Sequence, residues 1–175
     1  MKSYSFTGLT DDSLLREYIA AESREHADTA TTLALLAEVD SRKLYLPAGY
    51  ASMYDYCVQA RHMSEDRAYK RIRVARAARE FPAIFTAIAE GRLSLSAVVL
   101  LAPPLTPETA DQLLAAATHK TNAAIEQLLT EHGVGPLPPG ADGMMKAAGL
   151  GVDEEGPEQV RVALEHPVSM LVNAL

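Results

Sequence analysis

Between Gly8 and Pro47 the chain runs for 38 residues without a glycine or a proline. That span holds no strong turn punctuation, so a long regular element is the simplest way to order it. Its apolar residues recur at helical spacing: Leu14, Leu15, Tyr18 and Ile19 form one stripe, and Leu33, Leu35, Leu36 and Val39 form a second. Thr10, Asp11 and Asp12 supply an N-cap and acids for the first turn, where the helix dipole favours them. The stretch AAESREHADTATT between the stripes is small and polar, which leaves a break near residues 28–32 as the alternative. One helix over 11 to about 43 is expected.

The rest of the core region is punctuated at short intervals. LPAGY at 46–50 reads as a turn. Ser52 caps a short helix to about Ala60, and Ser64 with Glu65 and Asp66 opens another to Glu80. Pro82 fits the first turn of FPAIFTAIAE, which Gly91 ends. A helix at 94–101 stops at the two prolines 103 and 104. Thr106-Pro107-Glu108 opens a helix to about Thr118, and Thr121 and Asn122 open AAIEQLLTEH, closed by Gly133. No run alternates with period two. The expectation is an all-α, compact multi-helix domain preceded by a long N-terminal helix: residues 1–48 for that helix, 49–133 for the core, and 134–175 for a tail. The last 43 residues hold seven of the ten glycines and five of the ten prolines, so the tail is expected to be largely disordered.

Composition narrows the function classes. With 175 residues and 48% apolar side chains, a single globular domain is the prior. No run approaches the ~18 apolar residues of a membrane span. The N-terminus lacks an apolar core of signal-peptide length, and Cys57 is the one cysteine, which excludes an internal disulfide. A cytoplasmic protein is expected. The net charge of −7 argues against a polyanion as partner until its distribution is considered. From Arg61 to Arg79 seven basic residues face two acids, a net +5, which leaves −12 for everything else.

On a helical wheel at ~100° per residue, Ala68, Ile72 and Ala75 form an inward side with Tyr69 at its edge. Arg67, Lys70, Arg71 and Arg73 spread over the other side, interleaved with the small Val74, Ala77 and Ala78. Arg76 and Arg79 lie nearer the packed side, where they pair with acids or reach flanking phosphates. A short helix at 52–60, the connection Arg61-His62-Met63 and a capped helix from Ser64 give the layout of a helix-turn-helix, without the glycine often found in its turn. Tyr54, Cys57 and Val58 are expected to pack the first helix on Ala68 and Ile72. In that motif the second helix enters the major groove of double-stranded DNA, and Arg67, Lys70, Arg71, Arg73 and Arg76 are the expected contacts. The competing reading is a protein-interaction module whose basic helix grips an acidic partner, or the chain's own Asp153, Glu154, Glu155 and Glu158.

The run LLAEVDSRKLYLPAGYASMYDYCVQARHMSEDRAYKRIRVARAAREFPAIFTAIAEGRLSLSAVVLLAPPLTPETADQLLAAATHKTNAAIEQLL, residues 35–129, resembles the N-terminal region of bacterial HNH-endonuclease-like proteins. Its markers are LYLPAGY, YC, SEDRAYKRI, FP, AEGRLSL, LTPE and AAATHKT, in that order. The part from the basic helix through AEGRLSLSAVVLL is also similar, more weakly, to the helix-turn-helix domain of ParB-type partition proteins. Both resemblances imply that residues 52–79 contact DNA. In the endonuclease-like family the nuclease is a separate C-terminal module, with a histidine base and a metal-holding histidine. Here the residues after Gly133 contain His166, no cysteine and no adjacent Asp-His pair. The resemblance therefore implies a DNA-binding region without its catalytic module, whether a natural stand-alone form, a truncated product or an isolated domain.

Other chemistry has few residues to carry it. Glu22 and His26 are four apart on a helix, a spacing that metal ligands use, but no second such pair accompanies them. Cys57 reads as a small buried apolar residue. AEGRLSLS has one glycine and cannot form a phosphate-cradling loop. No enzymatic activity, metal or cofactor is expected. The long helix has two docking options, its own core or a second copy as a homodimer, and the first is favoured.

Overall fold

The computed structural model describes residues 4–131 and 133, and the expected tail at 134–175 lies outside them. The fold is all-α, with seven helices and, among the described residues, no strand. Helix α1 (Asp11–Ser41) is unbroken over 31 residues, and the Thr10 hydroxyl accepts from the Ser13 N–H to cap it. Helix α2 (Met53–Asp55), capped by Ser52, runs directly into a π-turn at Tyr56–Ala60. Then follow α3 (Glu65–Glu80), α4 (Ala83–Ala89), α5 (Leu95–Leu101), α6 (Ala110–Ala116) and α7 (Asn122–Glu131). The helix expected to open at Thr106 begins four residues later. Thr106 and Thr109 first close a turn on each other, each backbone N–H donating to the other's hydroxyl.

Helix α3 is the hub, packed against α1, α2, α4 and α5. Leu33, Met53, Ile72, Ile84, Leu101 and Ile125 are the largest fully buried side chains, each stabilising the fold by roughly 1.5–3 kcal/mol. On α3 itself Ala68, Ile72, Val74, Ala75 and Ala78 are buried. Four of these five are alanine or valine, so neighbouring helices approach closely. The wheel above put Val74 and Ala78 outward among the arginines. That assignment is corrected: helices cover α3 on more than one side, so its buried arc spans roughly 160° of the circumference.

Helix α1 is held by its second half. Ala30, Leu33, Leu36 and Ala37 are buried, whereas Leu35, assigned to the same stripe from sequence, is 64% exposed. The ring of His26 lies against Gly91 in the turn after α4. A Cβ at Gly91 would stand 2.6 Å from His26 Nδ1, and the φ of +69° there also favours glycine. Toward the N-terminus from there, Leu14, Leu15, Tyr18 and Ile19 of α1 are exposed. No helix among the described residues is long and apolar enough to cross a membrane.

Candidate nucleic-acid interface

The approach to α3 is built from backbone upward. The Arg61 N–H donates to the Tyr56 carbonyl and the Met63 N–H to the Cys57 carbonyl, which ends the π-turn with a six-residue reverse bond. Such an ending needs one left-handed residue, usually glycine. His62 takes that place with φ of +52°. The missing glycine of the turn is thus replaced by a strained histidine, and three residues suffice to redirect the chain. Ser64 then caps α3, accepting from the Arg67 N–H, with Glu65 and Asp66 in the first turn. Cys57 is fully buried, with Tyr54 and Val58 partly buried beside the core, as expected for the helix that supports α3. Burial pushes the Cys57 thiol up to about 11, with Asp40 adding to the effect.

The five residues expected to contact DNA do not form one face. Arg67 is exposed and makes no ion pair among the described residues. Lys70 is half-exposed and pairs with Asp66 one turn earlier at 3.0 Å. Arg73 lies over the ring of Tyr69, 5.9 Å from its centroid, and donates to the Tyr69 hydroxyl. These three stand on the solvent side.

The other two are held more closely by the fold. Arg71 falls in the middle of the buried arc, between Ala68, Val74 and Ala78 on the wheel. Its Nε is buried with no hydrogen-bond partner among the described residues. Burial lowers the guanidinium's pKa, and neighbouring Arg67 lowers it further. Arg76 grips Asp40 of α1 at two points, Nε to Oδ2 at 2.6 Å and Nη2 to Oδ1 at 3.1 Å. Sequence reasoning put Arg76 nearer the packed side with an acid for partner, and that part holds.

Arg61, in the turn, is exposed beside Arg67's end of α3. With Arg67, Lys70 and Arg73 it gives four cations that are exposed or half-exposed on the helix and its entry. The signal for Arg61 was the same basic run, read then as connection rather than contact. Among the described residues no group of three or more His, Cys, Asp or Glu is placed to hold a metal ion. Comparison of the chain with family models, with curated proteins and with solved structures gave no match.

Proposed function

We propose that this chain binds double-stranded DNA through the outward side of α3 and the turn that precedes it. The observation that carries the reading is that Arg67 is exposed in the first turn of α3, with Lys70 and Arg73 half-exposed further along the same helix. The resemblance of residues 35–129 to the N-terminal region of HNH-endonuclease-like proteins supports the same assignment. The Lys70–Asp66 pair does not oppose it, because an exposed pair is worth about 0–1 kcal/mol and phosphate can displace the carboxylate. The Arg76–Asp40 clasp is different: Asp40's side chain is only 11% exposed and the two groups join two helices. Arg76 therefore stays with the fold. The contacts are chiefly to phosphate, with Arg67 near the N-terminal end, where such helices meet base edges.

A mobility titration at two salt concentrations tests this. Affinity falls steeply with salt, with a slope reflecting roughly 3–5 phosphates. Changing Arg67, Lys70 and Arg73 together to alanine abolishes retardation at unchanged helicity. Full affinity in that variant removes the proposal.

A second reading is a docking module for an acidic protein segment. It is favoured by the carboxylates that Lys70 and Arg76 already hold. Deleting residues 134–175 separates the two: tighter DNA binding marks the acidic segment as a competitor, and no DNA binding in either form favours the module.

A further inference from the structure

The buried face of α1 is repeated, exposed, in its first half. Leu33, Leu36 and Ala37 are buried at 0%, 9% and 6%, while Leu15, Tyr18 and Ile19, eighteen residues earlier, are 60%, 59% and 59% exposed. Eighteen residues are five turns of α-helix, so the two sets lie on one straight line along the rod. The face that grips α3 and α4 continues past His26 for about 22 Å, and its large apolar side chains there are exposed. An apolar stripe of this kind on an exposed helix marks a protein-binding site.

Charge decides what covers it. Asp11, Asp12, Glu22 and Glu25 project on or beside this face and bracket the stripe at both ends; Arg16, one turn after Asp12, offsets one of these charges, and Arg24 projects on the opposite face. Tyr18 donates to Glu22 at 2.7 Å, which fixes that carboxylate over the stripe and raises the phenol's pKa. A second copy laid antiparallel would set Asp11 and Asp12 against Glu22 and Glu25, like against like. The chain's own segment 134–175 is acidic too, with six acids against two bases. Neither fits.

We propose that the overhanging half of α1 docks an amphipathic helix of another protein, whose apolar stripe is bracketed by Lys and Arg. Such a helix extends the existing α1 packing and places a cation opposite each end of the stripe. This surface is separate from α3, and the proposal stands whether or not the chain binds DNA.

The test uses two labelled helical peptides with one leucine stripe, bracketed by Lys and Arg in the first and by Glu in the second, titrated with the full chain. The basic peptide binds, and the acidic one binds at least tenfold more weakly. Leu15→Asp with Ile19→Asp weakens the basic peptide at least tenfold at unchanged melting temperature, since both side chains are exposed. Glu22→Lys with Glu25→Lys abolishes the preference, since Asp11 and Asp12 remain at the other end. Equal binding of the two peptides overturns the proposal. So does binding that survives the Leu15→Asp, Ile19→Asp variant, and so does a concentration-dependent dimer in sedimentation that Ile19→Asp dissolves.

Discussion

Arg76 and Asp40, 36 residues apart in sequence, meet in a two-point clasp that ties α3 to α1 where the long helix enters the core. Both partners of this bond are largely screened from water, Asp40 the more so. Asp40→Ala leaves a half-buried guanidinium without its carboxylate and lowers stability by about 1–3 kcal/mol. Urea unfolding measures this, and Asp40→Asn, which keeps one acceptor, falls between the two.

Arg71 carries the opposite expectation. Its buried Nε has no partner among the described residues, so a flexible apolar side chain of similar length serves the site at least as well. Arg71→Met keeps stability within about 1 kcal/mol of the parent or raises it, and leaves DNA retardation unchanged. Lost retardation in a folded Arg71→Met protein would place Arg71 in the contact surface.

His62 holds a left-handed conformation that costs a non-glycine residue about 1–2 kcal/mol, partly offset in glycine by the entropy of its unfolded chain. His62→Gly therefore stabilises the protein by roughly 0.5 kcal/mol, and His62→Val, a β-branched residue at positive φ, destabilises it by more than that. Paired denaturation curves show the sign.

Alkali weakens the fold through Cys57. Its thiol is raised from 9.0 to about 11 in the folded chain, so the folded state keeps a proton that the unfolded state gives up. Stability from this group is complete below pH 9 and is lost as pH rises from 9 toward 11, by up to roughly 2–3 kcal/mol. The slope of stability against pH across that window flattens in Cys57→Ala. At neutral pH the native thiol resists alkylation, and it reacts on unfolding.

The helices were legible because their punctuation is chemical and local. Thr10, Ser52 and Ser64 each cap the helix assigned to them, Ser94 caps the helix expected to start with it, and Gly91 and Gly133 follow the helices they were expected to end, both at positive φ. The 31-residue helix followed from the absence of any such signal. What α3 buries was not legible. A wheel drawn for one inward face assumes one neighbour, and α3 has several, which is why Val74 and Ala78 are buried with Ala68 and Ile72, and the Nε of Arg71 beside them. The Arg76–Asp40 contact could be anticipated in kind, as a cation near the packed side seeking an acid, but its partner depends on how two distant helices cross. Leu14, Leu15, Tyr18 and Ile19 looked like core from spacing alone. Nothing in the local pattern tells a stripe that is covered from one that projects beyond the bundle.

One helix supplies both the centre of the core and the cationic ridge. Positions 68, 72, 74, 75 and 78 of α3 have no room to vary, while 67, 70 and 73 between them are free to do so. Under the proposed DNA reading, retargeting is accordingly a matter of swapping a few solvent-side residues on a frozen frame, since a change that shifted the frame itself would cost the molecule its shape first.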